Sequence, residues 1–453
     1  MNLNMNRTRK LFFRRPLTTL RAYSGKLGPT WLAAAIAAGP GTMASLLVAG
    51  AAFGYTLLWV VVLSAVFGAL AQYLAMRLGL LSESGLVSLV ERRLGAGWAW
   101  LLVIDAVLAA GLAQLVIMKG LAEVSATITG LDARLWGIAW AVLIALGLVG
   151  GGYRVAEAAA KVLVIGVVVA FLASLFVVPL DAGQALAGLL PSLPGGVDGT
   201  LIVAGILGGA VHITLITMQS YTMRERGWTR RDYALARFDV GSSMLLAFGF
   251  YSLAIFLVGA GTLHLSGVDA GTLSAARAAQ ALGPLAGPYA QWLFLLGLWG
   301  AALSTLGSNT VVPPYLLADK LGWCVSLSDP RTRALALAVA LFSGAGAFIG
   351  GAFLPLLVLV LAFGLVGTVF ALVVVLYLLN EPAAEDNPAL LNLAGFVLIA
   401  VTTFLAGSFV AARIPTVTSN PRDAFIVAFA AVMALASLTL TVKFALQRVN
   451  PHP

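Results

Sequence analysis

Long runs of apolar residues, separated by short charged or Pro/Gly-rich breaks, repeat along the whole chain. A helix needs about 20 predominantly apolar residues to cross a bilayer. By this measure the sequence predicts twelve spans, at residues 28–51, 56–79, 97–127, 134–152, 157–179, 199–222, 239–262, 289–313, 332–350, 353–379, 391–412 and 424–446. The pattern therefore predicts an all-α polytopic membrane protein.

The composition excludes several classes of protein. Of the 453 residues, 60% are hydrophobic and 10% are charged, whereas soluble proteins carry about 25% charged residues. A soluble enzyme, a nucleic-acid-binding protein and an outer-membrane barrel are therefore excluded. The single cysteine, Cys324, and three scattered histidines form no metal-binding motif, and the sequence contains no Gly-x-x-x-x-Gly-Lys-Ser/Thr loop. We expect no enzymatic activity, no cofactor and no nucleic-acid partner.

The basic residues predict the orientation, because cytoplasmic loops of membrane proteins carry an excess of lysine and arginine. With the N-terminus inside, 22 of the 27 basic residues fall on the cytoplasmic side. The even number of spans then puts both ends in the cytoplasm. The basic tail 1–27 is expected to stay uncleaved, and residues 447–453 form a short C-terminal tail. The sequence predicts a multi-pass protein of the plasma (inner) membrane.

Two predicted spans contain helix-breaking residues at mid-membrane depth. The first span contains the stretch Gly39–Thr42, with proline between two glycines, and the sixth contains Gly208–Thr214. Proline removes a backbone donor and glycine lowers helicity, so we expect the helices to unwind near Gly39–Gly41 and near the paired glycines. Matched interruptions in two successive halves are typical of inverted-repeat transporters with a midplane site. Close helix packing is the alternative explanation for the glycines.

Six segments carry a resemblance to a known family: Leu27–Trp31, Gly39–Ser45, Ala49–Trp59, Gly208–Ser220, Arg237–Asp239 and Phe370–Val373. They resemble the Nramp divalent-metal transporters over roughly residues 27–410. The resemblance implies the leucine-transporter-like fold, a five-plus-five inverted repeat with repeats at 28–179 and 199–379 and two extra C-terminal helices at 391–446. It also implies secondary-active transport by alternating access.

The residues that bind metal in that family are largely replaced. The family's Asp-Pro-Gly-Asn motif aligns with Gly39–Thr42, and its Met-Pro-His motif aligns with His212–Thr214. A glutamine of the tenth helix aligns with Leu361, and the third-helix carboxylates fall near Gln114 and Ile117. The backbone pattern is therefore similar, while most of the metal-binding side chains differ.

The predicted substrate site consists of the groups at the two breaks and on facing helices. These are Gly39, Pro40, Gly41, Thr42, Gln114, Gly209, His212, Thr214, Ser308 and Asn309. A divalent ion in a low-dielectric site favours oxygen ligands and compensating negative charge, and no carboxylate stands beside either break. We therefore expect a small organic or carboxylate-bearing solute, held by His212 and by helix N-termini. A Mn/Mg-type divalent metal and a non-transporting receptor role are the alternatives, and a coupled proton or ion stays open.

Charged residues within or beside the spans are candidates for gating or coupling. They are Lys119, Glu123, Glu157, Lys161, Arg237 and Asp239. Lys119 with Glu123, and Glu157 with Lys161, are spaced i,i+4, which favours ion pairs on one helical face. We expect the first pair near the outer end of the third span, and the other four residues at an inner gate. Asp105, near the cytoplasmic start of that span, is expected to pair with a basic loop residue.

Overall fold

The computed structural model describes residues 39–150, 153–265, 273–381 and 387–449, and all regular secondary structure in these ranges is helical. A helix satisfies its own backbone hydrogen bonds, which is what a chain in lipid requires. The predicted basic tail 1–27, the beginning of the first predicted span and the end of the C-terminal tail lie outside the described residues.

The first five predicted spans fall on helices in chain order. The helices of this half are α1 (Pro40–Phe53), α2 (Leu58–Ser82), α3 (Leu86–Leu94), α4 (Ala96–Thr129), α5 (Ala133–Gly150) and α6 (Tyr153–Ser174). A short 3₁₀ turn, Gly54–Leu57, joins α1 to α2. The nine-residue α3 lies between the second and third predicted spans, and it is too short to cross a bilayer.

The remaining predicted spans also fall on helices. These are α7 (Ala182–Ala187), α8 (Gly196–Ala210), α9 (Ile213–Glu225), α10 (Tyr233–Val240), α11 (Gly249–Thr262), α12 (Ala290–Asn309), α13 (Val312–Lys320), α14 (Pro330–Ser343), α15 (Phe353–Leu379), α16 (Ala389–Ala411) and α17 (Pro421–Val449). A π-helical segment, Gly241–Phe248, makes α10 and α11 continuous. The short α7 belongs to a connection rather than to a predicted span.

Within the described ranges, eight helical stretches are long and apolar enough to cross a membrane. They are Pro40–Ser82, Ala96–Thr129, Asp198–Glu225, Arg230–Thr262, Ala275–Lys320, Phe353–Leu379, Ala389–Thr416 and Pro421–Leu446. Two shorter apolar helices, Ala133–Val149 and Val162–Ser174, coincide with the fourth and fifth predicted spans. Since Pro40–Ser82 contains two predicted spans, the number of twelve crossings stays a prediction.

Helix α15 lies at the centre of the bundle. Of its apolar window, 89% is buried, against 28% for the window of α16 and 33% for that of α17. It packs against both interrupted segments, through α1 on one side and through α8 and α9 on the other, and against α4. On the outer side, the ring centroid of Phe363 lies 4.7 Å from that of Phe429 and 5.8 Å from that of Phe425 in α17. Helix α15 therefore connects the interruptions to the periphery.

Candidate functional site: a small cavity between two interrupted helices

The first predicted interruption coincides with the N-terminus of α1, the first helix in the described part of the chain. Gly39 is the N-cap, in an extended conformation, and Pro40 occupies the first helical turn. Proline suits this position because the backbone N–H that it lacks would have no partner inside the helix. The first turn of α1, Pro40 to Thr42, is buried in the bundle. The helix therefore begins at a depth where its unpaired N–H groups face the protein interior.

The second interruption falls at Val211 and His212, inside the stretch Gly208–Thr214 where we expected it but after the paired glycines. Helix α8 continues through Gly208 and Gly209 to Ala210, and α9 begins at Ile213. The break is fixed by a cap, because His212 Nδ1 accepts a hydrogen bond from the Thr214 N–H at 3.3 Å.

The glycines of α8 serve close packing instead. A Cβ atom on Gly208 would lie 2.1 Å from the carbonyl oxygen of Leu361 in α15. A Cβ atom on Gly209 would lie 2.9 Å from Oγ1 of Thr42 in α1. These residues allow α8 to approach both neighbours closely, which is the role that small residues play between membrane helices.

A cavity of about 50 Å³ lies between the two interruptions. Seven predicted substrate-site residues line it: Pro40, Gly41, Thr42, Gly209, His212, Thr214 and Asn309. Six further residues complete the lining: Ala113, Ile117, Leu215, Thr305, Leu357 and Leu361. The apolar members gave no signal of their own in the sequence, except where the family alignment pointed to Ile117 and Leu361. The structure thus brings most of the predicted site together and adds an apolar wall.

Asn309 presents a carbonyl oxygen to this cavity. Its Nδ2 donates to the carbonyl oxygen of Ala110 and to Oε1 of Gln114, both at 2.9 Å. Gln114 in turn donates from Nε2 to Oγ1 of Thr310 at 2.8 Å. Because both amide hydrogens of Asn309 are used, Oδ1 is the atom left for a ligand. Gln114 is not part of the lining, and its place in the site is to orient Asn309.

Two other predicted substrate-site residues lie beside the cavity without lining it. Ser308 Oγ donates to the carbonyl oxygens of Ser304 and Thr305 in its own helix, both at 3.1 Å. Gly39 is buried at the N-cap of α1. The first therefore has its hydroxyl hydrogen engaged, and the second contributes backbone rather than a side chain.

Asp105 does not form the ion pair with a basic loop residue that we expected. It has no basic partner among the described residues; the residue is 1% exposed, and neither carboxyl oxygen has a hydrogen-bond partner. The reason is its position, because it lies nine residues after the start of α4 and its side chain packs on Gly367 of α15. The loop charges lie too far along the helix to reach it.

The charged pair of the third predicted span forms as expected. Lys119 Nζ lies 2.5 Å from Oε1 of Glu123, and it also donates to the carbonyl oxygen of Ile349 at 2.8 Å. Lys119 is buried, while the Glu123 side chain is 41% exposed. This pair joins α4 to the segment that precedes α15, so its contacts are those of a structural anchor.

The candidates for an inner gate are only partly described. Arg237 is exposed and Asp239 is buried in α10. Glu157 and Lys161 lie in α6, and their side chains are outside the described part of the chain. A common network of these four residues stays a prediction.

Comparison with known proteins assigns the family. The model of the Nramp family, described as natural resistance-associated macrophage protein-like, matches residues 30–412. The chain belongs to the Nramp family. A relative from Mycobacterium tuberculosis (strain ATCC 25618 / H37Rv), named divalent metal cation transporter MntH, is 30% identical over 341 residues, which are 72% of this chain and 77% of the relative. A protein of the same name from Yersinia pestis (strain Pestoides F) is 33% identical over 311 residues, or 66% and 73% of the two chains.

Solved structures confirm the fold of this Nramp chain. The Eremococcus coleocola manganese transporter, in complex with an aromatic bis-isothiourea substituted compound, aligns over 95% of both chains with a TM-score of 0.69 at 20% identity. Mhp1, a nucleobase-cation-symport-1 family transporter in a closed conformation, aligns over 92% of this chain and 93% of its own with a TM-score of 0.54 at 15% identity. The predicted all-α, leucine-transporter-like fold class is therefore confirmed.

The cavity of this Nramp chain is lined mostly by apolar residues, and its lining contains no Asp, Glu, Lys or Arg side chain. Its hydrogen-bonding side chains are those of Thr42, Thr214, Thr305, Asn309 and His212. No cluster of three or more His, Cys, Asp or Glu residues occurs in the part of the chain that the structure describes. The side chains present therefore provide oxygen ligands, but the lining itself provides no negative charge.

A hydrogen-bond network at one end of the bundle was not predicted. The N-terminal N–H groups of α3 have no partners within their own helix, and they are satisfied from α9 and α13. Leu86 N donates to Ser220 Oγ at 3.1 Å and Val87 N donates to the Tyr221 hydroxyl at 3.2 Å. The Tyr221 hydroxyl donates to Asp319 Oδ2 at 2.6 Å.

Asp319 completes the same network, since Ser88 N donates to its Oδ2 at 3.0 Å and Ser88 Oγ contacts Oδ1. We call these residues the α3 latch: Leu86, Val87, Ser88, Ser220, Tyr221 and Asp319. The partners lie far apart in the sequence, so no local pattern could have indicated them. Because α9 is the second half of an interrupted helix, the α3 latch holds the segment that borders the cavity.

Proposed function

We propose that this Nramp chain is a secondary-active membrane transporter that carries a divalent metal cation through the cavity by alternating access. The observation that carries the proposal is a buried cavity with several polar side chains, between the start of α1 at Pro40 and the break at His212. Its relatives from M. tuberculosis and Y. pestis bear the name of divalent metal cation transporters. They favour the metal alternative of the sequence analysis over the organic solute.

The size of the cavity supports a small ion. Pockets for organic ligands measure roughly 300–1,000 Å³, whereas the cavity here is about 50 Å³. A water molecule needs about 10–15 Å³ of such space, so the cavity suits an ion with a few waters. A carboxylate-bearing solute would require the helices to separate widely before it could bind.

The chemistry of the lining supports the same conclusion. Asn309 directs Oδ1 to the cavity, and Thr42 and Thr214 add hydroxyl oxygens. Oxygen atoms are the ligands that hard divalent cations such as Mg²⁺ prefer. His212 contributes through its cap, because its Nδ1 accepts from Thr214. The polar groups therefore resemble a weak cation site more closely than an anion site.

The distribution of basic residues along the chain supports an orientation of the transporter in the membrane. We place it as a multi-pass protein in the plasma (inner) membrane with both termini in the cytoplasm, since cytoplasmic loops collect lysine and arginine. On this orientation the α3 latch lies at the cytoplasmic end, and the Lys119–Glu123 pair lies toward the outer end. A coupled proton or ion is compatible with this arrangement.

Uptake into proteoliposomes tests the proposal. We expect the wild type to accumulate Mn²⁺, and we expect Asn309→Leu, which removes Oδ1 without changing the size greatly, to lose most of the uptake. Ser308→Ala is the matched control on the same helix and should keep wild-type uptake. Accumulation of a small carboxylate such as acetate or lactate without Mn²⁺ would establish the organic alternative. Metal binding without any uptake would establish the receptor alternative.

A further inference from the structure

Asp105 is a buried acid that the transport cavity does not explain. It is 1% exposed, and both carboxyl oxygens lack a hydrogen-bond partner. An uncompensated carboxylate at this depth is unfavourable by several kcal/mol, and ionisable residues inside a membrane bundle mark functional sites by default. A position that contributed only packing would be filled at lower cost by an apolar side chain.

Asp105 and His212 pack against the same face of α15. A Cβ atom on Gly364 would lie 2.7 Å from His212 Nε2, and one on Gly367 would lie 1.9 Å from Asp105 Oδ1. Residues three apart lie on the same side of a helix, about one turn from each other. The two glycines thus form a recess against which both side chains pack, and a larger residue at either position would displace one of them.

The recess leads away from the cavity. Leu361 of α15 lines the cavity, and Gly367 follows six residues later, which is about 9 Å along the helix axis. His212 lies between them, since its ring borders both the cavity and Gly364. Its Nδ1 is engaged by Thr214, with Oγ1 at 2.8 Å and the backbone N–H at 3.3 Å, so Nε2 is the ring nitrogen that faces the recess. This atom also lacks a partner in the structure.

Several charged groups on the described helices around α4 have partners other than Asp105. Lys320 pairs with Glu91, Asp319 with Tyr221, Tyr315 with Glu225, Arg93 with Glu381, and Lys119 with Glu123. They therefore do not compensate Asp105. His212 is the polar group that shares the α15 recess with it.

We propose that Asp105 is the charge-compensating residue of the cation site, acting on the ion in the cavity across the ring of His212. The inference rests on the proposed function, because it supplies the negative charge that the cavity lining lacks. Opposite charges attract strongly where water is excluded. Gly367, which contacts Asp105, lies about 9 Å along α15 from Leu361 at the cavity. The ring of His212 packs on Gly364, between these two positions.

The test uses the purified full-length protein in nanodiscs, with Mn²⁺ as the probe. Calorimetry gives the Kd for Mn²⁺, and thermal unfolding gives the Tm of the metal-free protein. For Asp105→Asn we expect a Kd at least tenfold higher together with a metal-free Tm that is equal or higher. The metal-free Tm should not fall, because the substitution removes an uncompensated buried charge. The Kd should rise, because the substitution also removes the charge that compensates the bound ion. A purely structural role would lower the Tm.

Three further variants complete the design. Asp105→Glu keeps the charge and should retain more of the affinity than Asp105→Asn. Asp132→Asn removes an exposed charge from the connection between α4 and α5 and should leave the Kd unchanged. Gly367→Ala should displace the carboxyl group and raise the Kd, whereas Gly111→Ala, where an added Cβ meets nothing within 4 Å, should not. The glycine pair keeps the test valid if Asp105→Asn does not fold.

The outcomes separate this inference from the proposed function. If the wild type binds Mn²⁺ and Asp105→Asn binds it with the same Kd, the role of Asp105 is refuted and the metal transporter stands. A lower metal-free Tm for Asp105→Asn with an unchanged Kd would show a structural residue. If the wild type does not bind Mn²⁺ at all, both the proposed function and this inference are refuted.

Discussion

Asn309 and Gln114 form the polar contact that shapes the cavity, with the Asn309 Nδ2 hydrogen donated to Gln114 Oε1 at 2.9 Å. The contact joins α12 to α4, and a second bond from Gln114 Nε2 to the Thr310 hydroxyl holds the glutamine itself. The atom that faces the cavity is therefore positioned by a residue that does not line it.

Gln114→Leu should loosen this arrangement. The substitution leaves one amide hydrogen of Asn309 without its acceptor, at a cost of about 1–3 kcal/mol in unfolding free energy. The Thr310 hydroxyl loses the Gln114 donor but still donates to the carbonyl oxygen of Leu306 at 2.6 Å. We expect a severalfold weaker Kd for Mn²⁺, because Oδ1 of Asn309 is no longer oriented. Gln114→Glu keeps an acceptor for Asn309 and should bind Mn²⁺ at least as tightly as the wild type. Calorimetry on both variants is the measurement, and equal affinities for Leu and Glu would contradict the orienting role.

Gly39→Asp should increase the affinity for metal. A carboxylate at the N-cap of α1 supplies a hard oxygen ligand beside the cavity and interacts favourably with the helix N-terminus. We expect the Kd for Mn²⁺ to fall by about tenfold for this added charge, which corresponds to about 1.4 kcal/mol. Gly39→Asn has nearly the same size without the charge, so it separates charge from bulk. If both Gly39→Asp and Gly39→Asn lose metal binding, the free space at position 39 matters more for binding than an added charge does.

Tyr221→Phe should weaken the α3 latch. The hydroxyl is both the donor to Asp319 and the acceptor for Val87 N, so its loss leaves a buried donor and a buried acceptor without this partner. We expect the cytoplasmic end to open more often. A cysteine at Thr217, which is buried in α9, should then react several times faster with a maleimide.

The latch experiment requires a background in which Cys324 is replaced by serine, because Cys324 is exposed. Tyr289→Phe is the control, since this tyrosine is 74% exposed and lies outside the latch. An unchanged labelling rate in Tyr221→Phe would mean that the α3 latch does not limit access to α9.

The orientation in the membrane predicts a simple labelling pattern. In the same serine background, a cysteine at Asp181 should react with a membrane-impermeant maleimide added to intact cells, and a cysteine at Arg230 should react only after permeabilisation. Both residues are exposed in the structure, so burial does not limit either reaction. The opposite pattern would invert the orientation that the positive charges predict.

The fold was predictable because bilayer thickness and backbone hydrogen bonding leave few choices. Runs of apolar residues had to be helices, and each predicted span falls on one. The first interruption was predictable for a similar reason, since proline fixes the place where a helix can begin. Gly39 and Pro40 are accordingly the cap and the first turn of α1.

The details of the site were less predictable, because they depend on contacts between distant segments. Gly208 looked like a weak point in its helix, but the carbonyl group of Leu361 lies against it, so the glycine serves packing. The observed break lies at His212. The capping bond between His212 and Thr214 has no distinctive spacing in the sequence. The position of Asp105 near the start of its span predicts a partner among the loop charges, whereas the packing of α4 on α15 places its side chain against Gly367.

Phe363 packs against the rings of Phe425 and Phe429, and in the proposed transporter this contact links the host membrane to the transport cycle. Helix α17 is only 33% buried over its apolar window, so we expect it to face lipid, where a mismatch between a helix and the hydrocarbon thickness is relieved by tilting. Because Phe363 belongs to α15, which borders the cavity through Leu361, a tilt of α17 reaches the residues around the ion. We therefore expect the turnover of the transporter to vary with the acyl-chain length of the lipids around it, with an optimum at one thickness.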